Sequence, residues 1–168
     1  MQILNSTSDD IGIIFSLYDD AVAYQKIHFP DNTWPKFEKS LIEKEIAEKR
    51  QFKLIIEAEV ACVWAITYSD PELWAADDGK SSIYIHRIAT NPKFRGNDFV
   101  KLIVDWAKEF AKDKSFIRMD TCGENTRLIE HYKKCGFSFL GMKKLRDAGS
   151  LPAHYHNADV CYFEIKLK

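Results

Sequence analysis

The chain has 168 residues, of which 46% are hydrophobic, and a formal net charge of -1 at pH 7. This length fits one domain with one sizeable core, and the ordinary apolar content excludes extensive disorder. The basic residues are scattered, which argues against nucleic acid as the main partner, and no apolar segment is long enough to cross a bilayer. The N-terminus lacks a charged start followed by a hydrophobic core, so we expect a soluble, cytoplasmic protein.

The first part of the chain is predicted to hold one short strand and two helices. The strand covers residues 2–6, and the first helix begins at Thr7, which has the spacing of a capping box with Asp10. The buried stripe of this helix is expected to be Ile11, Ile14, Phe15, Tyr18 and Val22, and its solvated face Asp9, Asp10, Asp19 and Asp20. A turn-rich break at 28–35 precedes the second helix, with apolar positions Phe37, Leu41, Ile42 and Ile46.

The remaining chain alternates strands and helices. Strands are predicted at 52–57, 60–68, 82–90, 115–121, 137–142 and 160–166, with loops at 69–81 and 143–159. A helix at 125–134 follows one strand, and another helix follows the turn at 91–97. The buried face of that second helix is predicted to be Phe99, Leu102, Ile103, Trp106 and Phe110. The alternation predicts an α/β protein whose mixed sheet carries helices, in a single domain over 1–168.

Two segments carry a chemical signal. The turn 91–97 opens directly into a helix start, where the backbone N–H groups lack partners and the helix dipole is positive, so the turn is suited to bind phosphate. In the later segment Asn125 can cap a helix, and Gly136 stands where a helix ends in the left-handed conformation.

Together these segments resemble the GNAT superfamily of acetyl-CoA-dependent N-acetyltransferases. In that family an R-G-x-G-x-G turn holds the cofactor pyrophosphate, and a helix of the form N-x-x-A-x-x-x-Y-x-x-x-G-F flanks the thioester. The matching residues are Arg95 and Gly96 in the first motif and Asn125, Tyr132, Gly136 and Phe137 in the second. The departures are Asp98 and Val100, which replace small residues of the turn, and Leu128, which replaces the usual alanine.

The resemblance implies a fold, a cofactor and a set of residues that bind it. The fold is a GNAT-type twisted mixed sheet of about six or seven strands with helices on both faces and a central splayed strand pair. The cofactor is acetyl-CoA, whose pantetheine arm would pair with backbone groups of Ile88, Ala89 and Thr90. The other cofactor-binding residues are then Lys93, Arg95, Gly96, Asn97, Asp98, Phe99, Val100, Asn125 and Tyr132.

The implied chemistry is direct attack of a primary amine on the thioester in a ternary complex. Tyr132 is the candidate acid for the departing thiolate, and the backbone N–H near Ile88 is the candidate donor to the thioester oxygen. Many family members place a carboxylate base on or near the central strand, but residues 81–90 contain none. His86 is therefore the candidate base, because its unperturbed pKa lies near neutrality. The alternatives for the base are His154, His156 or a water chain to Glu57, and Arg87 is expected to pair with an acidic neighbour.

The acceptor is expected to be an amine of a small molecule or peptide. Phe29, Trp34, His154 and Tyr155 are the candidate acceptor-contacting residues. The His154-x-His156 pair has no third ligand at a recognisable spacing, so no metal is expected. A homodimer is an expectation from the family. Two alternatives stay open, because Asp98, Val100 and the missing carboxylate depart from the family pattern: a non-catalytic acyl-CoA-binding sensor or regulatory module, and a domain that has lost the ligand and serves in assembly.

Overall fold

The computed structural model describes residues 1–79 and 81–168, so Lys80 of the predicted 69–81 loop lies outside the described residues. The described strands are β1 (Gln2–Asn5), β2 (Gln51–Ile56), β3 (Glu59–Thr67), β4 (Ser82–Thr90), β5 (Phe116–Cys122), β6 (Ser138–Leu145) and β7 (Ala158–Lys166). The described α-helices are α1 (Ile11–His28), α2 (Lys39–Ala47), α3 (Pro71–Trp74), α4 (Phe99–Phe110) and α5 (Thr126–Lys134). Apart from α3, the order of the strands and α-helices agrees with the sequence prediction, as do the bounds of β4.

The seven strands form one sheet in the order β1-β2-β3-β4-β5-β7-β6. The β1-β2, β2-β3, β5-β7 and β6-β7 pairs are antiparallel. β4 and β5 are parallel, and their register covers only Ser82–Tyr84 against Phe116–Arg118. This short parallel register fits the expected splayed pair, and the fold prediction is confirmed.

The chain forms two compact units, each built from two stretches. Unit 1 comprises residues 1–66 and 86–99, and unit 2 comprises residues 67–85 and 100–168. The boundary passes through β4, whose first half belongs to unit 2 and whose second half belongs to unit 1. The prediction of a single domain over 1–168 stays a prediction.

Unit 1 has its own core. Its buried members are Ile14, Leu17, Tyr18, Phe37, Ile42, Val63 and Ala89. The predicted capping box forms, because the Asp10 carboxylate accepts the backbone N–H of Thr7 at 2.7 Å and its hydroxyl at 3.1 Å. The same carboxylate accepts Lys53 Nζ at 2.6 Å. Asp10 is therefore buried in this network, and its placement on a solvated face was wrong.

Unit 2 has a second core. Its buried members are Leu73, Trp74, Tyr84, Ala158, Val160 and Tyr162. The predicted 69–81 loop contains α3, because Pro71 at the helix start and the apolar pair Leu73 and Trp74 favour a short buried helix. β6 continues to Leu145, so the loop before β7 is shorter than predicted.

The buried face of α4 agrees with the predicted stripe at Phe99 and Ile103 but not at Phe110. Ile103, Val104 and Ala107 are fully buried, whereas Phe110 is 41% exposed. Trp106 stacks on Phe110 with ring centroids 4.8 Å apart at the margin of the helix. Ala107, which the predicted stripe does not include, occupies a buried position of this helix. No helix in the described part of the chain is both long and apolar enough to cross a membrane.

Candidate functional site

In unit 1 the predicted phosphate turn follows β4 and contains one 3₁₀ turn, Pro92–Phe94. The side chain of Asn91 accepts the Lys93 N–H at 3.1 Å, and Asn97 Nδ2 donates to the Phe94 carbonyl at 2.8 Å. These bonds hold the turn. Among residues 1–79 and 81–168, no protein acceptor takes the backbone N–H groups of Gly96, Asp98 and Phe99. A row of unpaired donors that ends at a helix start is suited to an anionic group.

The backbone of this turn explains the departure at Asp98. Gly96 has φ 88° and Asp98 has φ 49°, so both are in the left-handed region. Aspartate tolerates this region better than most residues with a side chain. Asp98 therefore keeps a conformation that glycine would also adopt, and the departure changes the charge of the turn more than its shape.

The basic side chains of the turn have different partners. Lys93 Nζ pairs with Glu59 Oε1 at 2.7 Å. The Arg95 guanidinium lies over the ring of Tyr24, with Cζ 5.0 Å from the centroid. In the part of the chain that the structure describes, Arg95 has no carboxylate partner. Phe99 is buried at the start of α4, and Val100, the next residue, belongs to unit 2.

The second half of β4 contains a backbone irregularity. Arg87 has φ 50°, which is rare for a non-glycine residue in a strand. Its Nη2 donates to Glu45 Oε2 at 2.6 Å, and its Nε donates to the Tyr18 hydroxyl at 3.3 Å. The expected acidic partner of Arg87 is thus Glu45. Such an irregularity changes the direction of the backbone groups that follow it.

Those following residues are the three expected to pair with pantetheine. Ala89 is buried in the unit 1 core, and Ile88 and Thr90 are partly buried. The Thr90 hydroxyl lies 3.6 Å from Cys62 Sγ. Their side chains thus serve packing, and any contact with the cofactor would fall to their backbone groups.

His86 is a neutral imidazole near pH 7. Burial, with the positive charges of Arg87 and Arg50, lowers the pKa of His86 to about 3. A base with so low a pKa holds an abstracted proton weakly. The low pKa therefore makes His86 a poor general base near pH 7.

The two N-terminal aromatic candidates have different surroundings. Trp34 packs edge-on against Tyr18 and Phe37, each with ring centroids 5.9 Å away, so it closes the unit 1 core. Phe29 is 36% exposed at the end of α1, near Tyr24. Exposure leaves Phe29 better able than Trp34 to contact a bound molecule.

In unit 2 the second motif adopts the expected conformation. Asn125 Oδ1 accepts the Leu128 N–H at 3.0 Å and caps α5, and Gly136 ends it with φ 105°. Tyr132 is 8% exposed and packs edge-on against Phe163 at 5.1 Å. Burial raises the pKa of Tyr132, so its phenol stays protonated and can act as an acid.

Sequence reasoning missed a carboxylate pair in unit 2. A carboxylate oxygen of Asp70 lies within 4.8 Å of one of Asp120. Burial raises the pKa of Asp120 to about 6, and burial together with the Asp120 charge raises the pKa of Asp70 to about 7. The sequence signal for this pair is one aspartate, Asp120, in the otherwise mostly apolar β5.

Two expected acceptor residues lie beside this pair. The Tyr155 hydroxyl donates to Asp120 Oδ2 at 2.7 Å, and the His154 ring packs at a tilt against that of Tyr155 with centroids 4.3 Å apart. Burial lowers the pKa of His154 to about 4, so this imidazole is neutral near pH 7. In unit 2, Tyr155 and His154 therefore lie beside a carboxylate pair whose pKa values are near neutrality.

Comparisons with known proteins identify the family. The acetyltransferase (GNAT) family profile matches residues 16–137. The uncharacterized N-acetyltransferase YesJ of Bacillus subtilis (strain 168) is 31% identical over 74 residues, which cover 43% of this chain and 41% of YesJ.

Solved structures agree in fold. A GNAT family acetyltransferase of Listeria monocytogenes superposes with a TM-score of 0.76 at 21% identity, over 99% of this chain and 94% of that one. The spermidine N-acetyltransferase of Vibrio cholerae, solved with CoA and spermine, has a TM-score of 0.67 at 14% identity, over 99% and 95% of the two chains. With the family profile spanning most of its length, the chain belongs to the GNAT acetyltransferase family.

Proposed function

We propose that this chain transfers the acetyl group of acetyl-CoA to a primary amine of a small molecule or peptide, by direct attack in a ternary complex. The observation that carries the proposal is the turn of unit 1, where the N–H groups of Gly96, Asp98 and Phe99 have no protein acceptor among the described residues. Such donors can bind a pyrophosphate without side chains in the way. Membership of the GNAT family supports acetyl-CoA as the nucleotide that supplies it.

Cofactor binding is assigned to the following groups. The amides of residues 96–99 and the Arg95 guanidinium bind the pyrophosphate, and the backbone of residues 88–90 pairs with the pantetheine arm. Lys93 already pairs with Glu59, so it adds only long-range charge. Asn125 acts through its cap, which fixes the start of α5.

The transfer forms a bond between the amine nitrogen and the acetyl carbon and breaks the carbon–sulfur bond. The nitrogen loses one proton, and the sulfur gains one. Tyr132 gives its proton to the thiolate, and its raised pKa supports this role because the phenol is fully protonated near pH 7. The backbone N–H near Ile88 stabilises the charge that develops on the thioester oxygen.

We assign the proton of the amine to Asp120 rather than to His86. A general base works best when its pKa lies near the operating pH. The Asp120 pKa of about 6 satisfies this condition, whereas the His86 pKa of about 3 does not. In this proposal His86 is a neutral imidazole that forms a hydrogen bond with the amine and does not take its proton.

The acceptor is a positively charged amine in its free form, which a carboxylate pair would attract. Tyr155 and His154 of unit 2 and Phe29 of unit 1 are the proposed contacts, and Trp34 packs in the unit 1 core. The V. cholerae relative acts on spermidine, which shows that this fold can serve a cationic acceptor. The free thiols of Cys62, Cys122, Cys135 and Cys161 support a reducing, cytoplasmic location. A homodimer remains part of the proposal by analogy with the family.

A second candidate function is an acyl-CoA-binding module without turnover. The exposed Asp98 carboxylate in the phosphate turn favours it, because like charges reduce cofactor affinity. Calorimetric titration with acetyl-CoA, followed by a thiol-release assay against a panel of amines, separates the two functions. Binding with amine-dependent thiol release supports the enzyme. Binding with no release for any amine supports the module, and no binding refutes both.

A further inference from the structure

Tyr24 lies outside both sequence motifs, yet it contacts the phosphate turn. It belongs to α1, is 42% exposed, and packs its ring 4.2 Å from that of His28. The Arg95 guanidinium lies over the Tyr24 ring at 5.0 Å. Arg95, the one arginine in the 91–97 turn, thus lies against the ring of Tyr24, which belongs to the distant helix α1.

The geometry of this contact leaves the arginine donors available. Among the described residues no acceptor takes the guanidinium N–H groups of Arg95, which lie in the guanidinium plane. Those in-plane donors are the ones that bind phosphate oxygens in pairs. Lys93 differs, because its ammonium group is already paired with Glu59. Arg95 is therefore both held in place and free to bind an anion.

We propose that Tyr24 is a positioning residue for the cofactor pyrophosphate, acting through Arg95. The inference rests on the proposed function, since it takes coenzyme A as the ligand of the turn. Without Tyr24, an exposed arginine samples many rotamers and loses that freedom on binding. Tyr24 reduces this loss by holding the guanidinium beside the amides of residues 96–99 before the cofactor arrives.

The test compares coenzyme A affinity by calorimetry in the full chain and in matched variants. Tyr24→Leu removes the ring face, whereas Tyr24→Phe keeps it. Tyr68→Leu is the control, because Tyr68 belongs to unit 2, is also exposed and has Lys114 over its ring at 5.5 Å. We expect Tyr24→Leu to bind coenzyme A about two- to five-fold more weakly, the range for an exposed cation–π contact, and the other two variants to match the parent.

Two further readouts distinguish positioning from a general structural effect. In an Arg95→Ala background, Tyr24→Leu should cause no additional loss of affinity, because its effect passes through Arg95. In the thiol-release assay it should raise the KM for acetyl-CoA by a similar factor and leave kcat unchanged.

Three results would overturn the inference: parental affinity in Tyr24→Leu, equal weakening in Tyr24→Phe, or an undiminished loss in the Arg95→Ala background. A parent chain that does not bind coenzyme A would instead refute the proposed function, and the inference with it. The two failures are therefore distinguishable from the parent titration alone.

Discussion

The Arg87 guanidinium donates to Glu45 Oε2 at 2.6 Å, and so joins α2 to the irregular residue of β4. Glu45 is 2% exposed, and Arg50 Nη1 lies 3.9 Å from its other carboxylate oxygen. A non-glycine residue with positive φ is strained by about 1–3 kcal/mol. This buried network holds Arg87 in that conformation, and with it the backbone that leads into Ile88.

The first prediction concerns the stability of this network. Glu45→Gln leaves two arginines without their buried counter-charge, so we expect it to lower the free energy of unfolding by about 3–5 kcal/mol. Urea denaturation at pH 7 measures the effect. Glu43→Gln is the matched control, because Glu43 is half exposed and its pair with Lys39 should contribute less than about 1 kcal/mol. Equal stabilities of the two variants would show that the buried network does not hold the strand.

The second prediction concerns the acid. Tyr132→Phe keeps the ring that packs on Phe163 and removes only the hydroxyl, so we expect kcat to fall about 10²-fold or more with little change in acetyl-CoA affinity. Steady-state kinetics and calorimetry measure the two quantities. Tyr68→Phe, at an exposed tyrosine, should leave both unchanged. If Tyr132→Phe acetylates as fast as the parent, Tyr132 has no acid role.

The third prediction concerns the charge of the phosphate turn. Asn tolerates the left-handed conformation as Asp does, so Asp98→Asn should keep the turn and remove its repulsion of the pyrophosphate. A gain of about 1 kcal/mol corresponds to roughly five-fold tighter coenzyme A binding by calorimetry. Asp19→Asn removes one exposed charge elsewhere and should have no such effect. Unchanged affinity in Asp98→Asn would place the cofactor phosphates away from this carboxylate.

The fourth prediction concerns the pH dependence of catalysis. Because the raised pKa values of Asp120 and Asp70 lie near 6 and 7, kcat/KM should rise with pH as this pair loses its proton, with an apparent pKa between about 6 and 7. Asp120→Asn should abolish this limb and lower the plateau by about 10²-fold or more. Asp113→Asn, at an exposed position, should keep the parental profile. A rising limb that persists in Asp120→Asn would assign the base elsewhere.

The fifth prediction concerns stability in acid. The pKa of His86 is about 3 in the folded chain against 6.5 for an ordinary histidine, so between these values the unfolded chain binds one more proton. His86 thus lowers the free energy of unfolding as pH falls from about 6.5 to 3, by about 1.4 kcal/mol per pH unit. His86→Gln should lose this contribution, which denaturation at pH 4, 5 and 7 would reveal. His156→Gln, at an exposed histidine, is the control, and equal acid sensitivity of both variants would contradict the buried state of His86.

The local features of the sequence were predicted well. The Thr7–Asp10 capping box, the Asn125 cap, the Gly136 helix end and the bounds of β4 all depend on residues close together in the chain. Caps and turns use hydrogen bonds between near neighbours, so their chemistry is visible in sequence. The family resemblance followed from the same short segments.

The misplaced features depend on distant partners. The solvated face predicted for Asp10 was wrong because its partner Lys53 is 43 residues away in the chain. The predicted α4 stripe was wrong at Phe110, which is 41% exposed. The short helix α3 was predicted as loop, since its burial depends on the aromatic contacts of Trp74 with Tyr84 and Tyr162.

By itself the sequence determined the order of the strands and of the four longer α-helices, the phosphate turn, the tyrosine-bearing helix and hence the family, because each is encoded by spacing within one short segment. Only the tertiary structure decided the ionisation of the candidate groups and the partners of Arg87 and Arg95. The physical reason is that burial and nearby charges set a pKa, and both come from residues far apart in the chain. His86 and Asp120 show this together, since folding gives the histidine the lower pKa of the two.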